Sequence, residues 1–386
     1  MLIIQFILVK MILKELVLHL DRIFKKNLAL DWDKTGLQIG NLDSDIKKIL
    51  VTLNVVGDVA KEAVSMKADL IISHHPLIFY PLDTVLSSKA GEREILILAE
   101  NRVAVYCAHT NYDLMPEGLN DFVAGIIGLE NTEVIEEQPE KWYKFAVFVP
   151  VEVEEKVREA ICKHGGGKWQ NYSCCTFSAQ GKGTFIPGEN SKPYKGKIGQ
   201  ASFVDEVRIE CIVNESRLND VVSAAVKAHP YEEVAYDVYR IENKFRDAGI
   251  GRLGELKKPE SFTDFTERIK DRLKIDSLRW MCGSKINTGD MKIKKAALVC
   301  GSANSLAERL SCIDCDVIVV GEVGYHNALK IAENGKLIIE VGHGSSEKPA
   351  VDDMYNKLDD FFCKQKIKIE ILKSSLGCKS WRYKID

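Results

Sequence analysis

The sequence predicts an α/β protein built as two related α/β halves forming one metal-binding unit, with a smaller ferredoxin-like α+β domain inserted between them. Three observations carry this expectation. Helix-like and strand-like segments alternate at both ends of the chain, the strands read as unbroken apolar runs, and short stretches of the first half recur in the last. Unbroken apolar strands are what a parallel sheet covered on both faces requires. At 386 residues the chain exceeds one ordinary core, so two or three domains are expected.

Taken in order, residues 1–10 are mostly apolar, too few to span a bilayer, and carry no basic leader or cleavage site. An amphipathic helix starts at Met11, with Ile12, Leu16, Leu20 and Ile23 on one face. Met11 is therefore read as the natural start and the preceding residues as an upstream extension. Residues 47–54 then read as a strand, 59–67 as a helix, 69–73 as a buried strand, 92–101 as a helix and 103–108 as a strand. These belong to a first half spanning 1–140.

Residues 141–245 change character. A strand over 144–150 leads to a helix over 153–164, which Gly165-Gly166-Gly167 ends as a C-cap. A β-ribbon over 172–185 follows, then a Gly-, Pro- and Lys-rich stretch, 186–199, that reads as a mobile loop. A strand over 207–214, a helix over 217–228 and a strand over 235–241 complete a β-α-β-β-α-β order. The last half, 246–386, repeats the first. Asp69-Leu70-Ile71-Ile72 returns as Asp316-Val317-Ile318-Val319. Ala99-Glu100-Asn101, a strand, then His109 and Asp113 return as Ala332-Glu333-Asn334, a strand, then His343 and Glu347, offset by one residue. The same alignment sets Glu322 opposite His75, so the segment from Gly321 to His326 should border the same cleft.

The chemistry gathers where those strands end. Four of the eight histidines fall in three short segments: Ser73-His74-His75-Pro76, His109-Thr110-Asn111-Tyr112-Asp113 and His343-Gly344-Ser345-Ser346-Glu347. Imidazoles with carboxylates at the carboxyl ends of parallel strands point to a metal site of two ions. His109, aligned with His343, and His326, beside the cleft, are the candidate proton-transfer residues. Hydrophobic content of 46%, charged content of 28% and a net charge of −3 describe a soluble globular chain, with no electrostatic case for nucleic acid or membrane as partner. Eleven cysteines without framework spacing suit a reducing cytoplasm, and Cys312-Ile313-Asp314-Cys315 and Cys174-Cys175 read as structural thiols. There is no strand-loop-helix phosphate cradle.

Together, Trp32-Asp33-x-x-Gly36-Leu37-Gln38-x-Gly40, Ser73-His74-His75-Pro76, Ala108-His109-Thr110-Asn111-x-Asp113 and Gly342-His343-x3-Glu347 resemble the Nif-three-like family, often labelled GTP cyclohydrolase I type 2 homologue. The middle domain, with His229-Pro230-Tyr231-Glu232-Glu233, resembles the PII- or CutA-like insert of its longer members. The resemblance implies two divalent ions (Zn, Fe or Mn) held by His74, His75, Asp113, His343 and Glu347, with Glu347 bridging. It also implies a toroidal homohexamer with its sites facing an internal cavity. Asn54, Glu322 and Gly344 depart from the family's usual Asp, Asp and aromatic residue at these positions. The expected function is metal-dependent hydrolysis of a nucleotide or related small molecule in the cytoplasm. The alternative is a metal-dependent scaffold whose insert senses a metabolite.

Overall fold

In a computed structural model, residues 11–138, 141–169, 171–242, 248–284 and 286–378 are described, so the expected extension before Met11 lies outside them. The described residues form two compact units: one holds the chain up to Gln138 and from Ala248 onward, the other holds Lys141 to Glu242.

The larger unit contains two sheets of the same plan. The first orders its strands Gly36–Ile39, Ala104–Cys107, Leu70–Ser73, Lys48–Thr52 and Glu370–Lys373. The second orders Arg279–Cys282, Leu337–Glu340, Val317–Glu322, Lys292–Ser302, Gly249–Ser261 and Leu129–Glu137. In each, three parallel strands form the centre and an antiparallel strand borders the last of them. The repeated letters mark repeated contacts. Asp69 Oδ2 accepts the backbone N–H groups of Lys47 and Lys48 at 2.8 and 2.9 Å. Asp316 Oδ2 accepts those of Lys294 and Lys295, both at 2.8 Å. Asn101 and Asn334 each donate from Nδ2 to the carbonyl four residues earlier, at 2.8 Å in both cases.

One feature of the boundary departs from two self-contained halves. The strand Leu129–Glu137, from the first half, pairs with Gly249–Ser261 in the second sheet. The C-terminal strand Glu370–Lys373 runs parallel to Lys48–Thr52 in the first. Each half thus lends the strand after its last helix to the other's sheet, and neither sheet is complete within 1–140 or 246–386.

Alternate residues of each central strand face different cores, as strand periodicity dictates. Ile49, Val51, Ile72 and Tyr106 share one continuous core with Leu298, Val319 and Ile339 of the other sheet. Leu50, Ile71 and Val105 face outward to the helices Gly57–Ser65 and Glu92–Glu100. Val299, Ile318 and Ile338 do the same beneath Ala307–Cys312 and Tyr325–Glu333. Both faces of both sheets are covered, which is why the strands carry no polar alternation.

The smaller unit has one antiparallel sheet, ordered Thr176–Phe185, Ser202–Asn214, Trp142–Pro150, Tyr236–Ile241, with helices Glu154–Lys163 and Glu215–Ala228. This is the ferredoxin-like order. Phe145, Val147, Ile209 and Cys211 pack against Val157, Ile161 and Val221 on the helix side. Two features here were not expected from the sequence. The 186–199 stretch is folded back and pinned: Glu232 Oε1 accepts Lys192 N–H at 2.7 Å, Gly199 N–H reaches Pro187 O at 2.8 Å, and Lys195 pairs with Glu152. Cys174 is not a free thiol but is bonded to Cys162, with Cα atoms 4.9 Å apart. The glycine turn after the first helix returns the chain beside that helix, a proximity the linear spacing does not reveal. Cys175, Cys312 and Cys315 remain free. No helix among the described residues is long and apolar enough to cross a membrane.

Candidate metal centre

The ladder of the first sheet delivers His74 and His75 directly. Their backbone N–H groups still pair with Thr52 O and Leu53 O, at 3.2 and 2.9 Å, and Pro76 has no N–H to extend the pairing. His109 and His343 open short helical turns, Thr110–Leu114 and His343–Glu347, at equivalent strand ends. A four-residue step in a helix places two side chains on one face, so each turn directs an imidazole and a carboxylate the same way.

The rings form one cluster. Centroids of His74 and His75 lie 4.9 Å apart, His75 and His109 5.4 Å, and His75 and His343 5.5 Å. Glu347, only 3% exposed, sits among them, with Oε2 3.0 Å from His75 Nε2 and 3.2 Å from His343 Nε2. His74 Nε2 is 3.6 Å from Asp113 Oδ1 and 3.7 Å from Glu347 Oε1. The potential ligand atoms of His74, His75 and His109 lie within 4.8 Å of one another, as do those of His75, His343 and Glu347.

Each imidazole is oriented from behind. Nδ1 of His74 meets Ala108 O at 2.9 Å, that of His75 meets Asn54 Oδ1 at 2.8 Å, that of His109 meets Asp33 Oδ1 at 2.8 Å, and that of His343 lies 3.1 Å from Glu322 Oε1. All four partners are acceptors, so Nδ1 carries the proton and Nε2 is left for the centre. On the inner side, by contrast, His74 Nε2, Asp113 Oδ1 and Glu347 Oε2 are buried and make no hydrogen bond. Buried polar atoms are ordinarily partnered, and three unpartnered ones within one cluster of imidazoles and carboxylates are what divalent cations would satisfy. The donor set of imidazole nitrogens and carboxylate oxygens fits zinc, iron or manganese.

The charges are strongly coupled. Burial pushes the Asp113 carboxyl up to about 6, with Glu347 adding to the push and His74 opposing it. Burial disfavours charge on His74, yet Asp113 and Glu347 outweigh it and hold the ring at about 9. The Glu347 carboxylate beside its Nε2 raises His343 to about 9 against burial. Burial likewise opposes ionisation of Glu347, but its three histidine neighbours keep it well below the usual carboxylate range. In the absence of ions, protons thus occupy the positive positions of the centre.

The structure brings His74, His75, His109, Asp113, His343 and Glu347 together. His326 it does not: that ring is exposed on the first turn of Tyr325–Glu333, and its contact among the described residues is the Tyr325 ring. Gln38 clamps the segment after Pro76, accepting Leu77 and Ile78 N–H at 2.8 and 3.1 Å, and Trp32 lies edge-on to His109 at 6.3 Å. His229 caps a helix in the smaller unit and donates from Nε2 to Phe148 O at 3.0 Å.

This arrangement of motifs has counterparts. A family model described as Duf34/NIF3 (NGG1p interacting factor 3) matches residues 11–377. The chain belongs to the Duf34/NIF3 family. Among its relatives is a protein of Halalkalibacterium halodurans called "GTP cyclohydrolase 1 type 2 homolog", 36% identical over 92% of this chain and 94% of the relative. One of the same name from Bacillus subtilis is 35% identical over 94% and 95%. A solved Bacillus cereus protein related to NIF3 superposes with TM-score 0.80 at 37% identity, covering 94% of this chain and 96% of its own. A Staphylococcus aureus structure gives 0.74 at 26% identity, covering 97% and 99%.

For this Duf34/NIF3 chain, linear reading missed the residues that act from behind. Asp33 accepts His109 Nδ1–H, Thr110 N–H at 3.0 Å and the Thr110 hydroxyl at 2.5 Å, and these bonds hold it at about 2 despite burial. It was visible only as a letter of the Trp32-Asp33 motif. Gly301 was not visible at all. Its φ of +65° suits glycine, and a Cβ there would come within 2.4 Å of Glu347 Oε1.

Proposed function

We propose that this protein is a metal-dependent hydrolase that uses two divalent ions and acts on a small molecule, with nucleotides the leading class. The buried, unpartnered ligand atoms of His74, Asp113 and Glu347, with His74 Nε2 3.6 and 3.7 Å from the two carboxylates, carry the reading. His75 and His343 share Glu347 on the other side of the cluster, which supports a bridging role for that carboxylate. Two ions, when bound, supply an acidified water and positive charge at the developing oxyanion. The chain supplies the rest. Asn54, Glu322 and Ala108 O fix the ligand rings, and the Asp33–His109 pair handles a proton. With Nδ1–H held by Asp33, His109 Nε2 is the atom that takes a proton from water and returns it to the departing atom, while the Asp33 carboxylate stabilises the imidazolium between the two steps.

The relatives' shared name supports nucleotides as the class to test, and guanine-ring opening is one chemistry within it. General metal-dependent hydrolysis is ranked above that specific reaction because the site presents no carboxylate assigned to guanine. Kinship of the insert with PII and CutA proteins, assembly as a homohexamer and a cytoplasmic setting belong to the same reading; its support is the motif order and the β-α-β-β-α-β insert. Protein reconstituted in turn with zinc, iron and manganese should be incubated with GTP and with nucleotide esters, and formate and phosphate followed. Ester or phosphate products that vanish in His75→Ala and Glu347→Gln are expected. Formate release with the same dependence would put the cyclohydrolase chemistry first, and no turnover with any ion would remove the hydrolase.

A further inference from the structure

The smaller unit has a feature independent of the metal reading. Its sheet buries only one face against helices; on the other lies a cavity of about 1040 Å³. The floor comes from three neighbouring strands, with Gly183 from the first, Glu206 and Arg208 from the second and Phe148 from the third. The folded-back 186–195 stretch and Tyr231 form the sides.

Two floor residues are incompletely partnered. Glu206 is only 9% exposed; its Oε1 accepts the Tyr231 hydroxyl at 3.1 Å, and its Oε2 accepts no hydrogen bond from any described residue. That oxygen lies over Gly183, where a Cβ would come within 2.2 Å of it, so glycine makes the room the carboxylate uses. Arg208 sits in register with Phe148, its guanidinium 5.7 Å from the ring centroid, and its Nη2 is 3.0 Å from Glu210 Oε1. Its Nε is buried and unpartnered. Glu206 and Arg208 stand two positions apart on one strand face, their Cα atoms ~7 Å from each other. They are not paired together: the arginine turns to Glu210 and the glutamate to Tyr231. The free Glu206 oxygen and the Arg208 guanidinium therefore lie on the floor of one cavity as separate charges of opposite sign, and the buried Arg208 Nε lacks the partner that burial ordinarily demands.

We propose that this cavity binds a zwitterionic α-amino acid with an aromatic side chain, its ammonium on Glu206 and its carboxylate on Arg208. Phe148 and the cluster of Phe185 and Tyr194, each 6.0 Å from Tyr231, receive the ring. Other charge types fit less well. A polyphosphate would meet Lys182 and an arginine already half-neutralised by Glu210, against Glu189, Glu206 and Glu233 along the walls. Lys195 is occupied by Glu152. A simple amine would leave the Arg208 guanidinium with no anion beyond Glu210.

The test is calorimetric titration of the full-length protein with L-phenylalanine, phenethylamine, which lacks the carboxylate, and 3-phenylpropionate, which lacks the ammonium. L-Phenylalanine should saturate one site per chain, with each truncated probe weaker by about tenfold or more. Glu206→Gln should abolish the advantage over 3-phenylpropionate, and Arg208→Gln that over phenethylamine. Gly183→Ala, which alters no charge and lies on an edge strand, should weaken L-phenylalanine by displacing the Glu206 carboxylate. Melting curves check that each variant is folded. The proposal is overturned by absence of saturation up to ~10 mM, by equal binding of the three probes, or by ATP binding in their place. Since no metal ligand lies in this unit, titrations with and without a chelator should agree, and failure here leaves the hydrolase reading standing.

Discussion

At the scale of single residues, the centre is held by atoms that never touch its middle. His74 and His343, both near 9, carry protons at neutral pH in the ion-free chain, whereas an ion requires neutral imidazole. Binding must expel those protons, so apparent affinity should rise with pH up to about 9, by about tenfold per unit for each proton displaced. Calorimetry in buffers of different ionisation enthalpy should detect proton release at pH 7; none would show the rings to be neutral beforehand. In the ion-free chain the sign for folding is opposite. The raised His74 contributes stability fully below its ordinary 6.5 and loses that contribution as pH climbs through about 9. Asn54 tests the orienting bonds: Asn54→Ala frees His75 Nδ1 and should cost ~10–100-fold in metal affinity, while loss of its 2.7 Å bond to Gly377 O lowers melting modestly. Equilibrium dialysis against zinc would show it, and unchanged affinity would remove Asn54 from the site.

At the scale of elements, the equivalence of the two halves makes a paired prediction. Asp69 and Asp316 each bind two backbone N–H groups at the start of a neighbouring parallel strand. Asp69→Ala and Asp316→Ala should each destabilise by ~1–3 kcal/mol, and by similar amounts. Urea unfolding measures this, and a difference of several kcal/mol between the two would show that the repeated letters carry unequal loads. The central strands were legible because burial on both faces writes itself as apolar runs. The bordering strands Gly36–Ile39 and Arg279–Cys282 were not, being only partly buried where the equally short central strands are buried throughout or nearly so.

At the scale of the whole larger unit, the halves are joined by polar bonds as well as by a shared core. Arg252, 2% exposed and near the start of the second sheet's strand Gly249–Ser261, donates from Nε and Nη2 to Asp121 at 2.5 and 2.7 Å, on the helix Leu119–Ile126 of the first half. Its Nη1 reaches Gly249 O and Gly251 O. Tyr112 donates to Asp353 at 2.5 Å across the same boundary. Arg252→Met leaves the Asp121 carboxylate, 26% exposed, with only the Glu117 N–H at 2.8 Å and should cost ~2–3 kcal/mol. Asp121→Asn in the same chain should recover part of it, because the residual charge is then gone. A loss below ~1 kcal/mol would mean that the apolar core alone joins the halves.

What the sequence determined by itself was whatever is local: periodic apolar runs, the residues that stop them, a helical four-residue step from histidine to carboxylate, and a repeat long enough to align His109 with His343. Those suffice to place six site residues at strand ends, because a strand's end is fixed by its own letters. Tertiary structure decided what pairs across long separations. It lent Leu129–Glu137 and Glu370–Lys373 to opposite sheets, put Asp33 behind His109 and Asn54 behind His75, joined Cys162 to Cys174, and left His326 on the exterior. The reason is physical. A strand edge accepts any partner of suitable register, and an imidazole any acceptor within reach, so which one arrives depends on how the apolar faces pack.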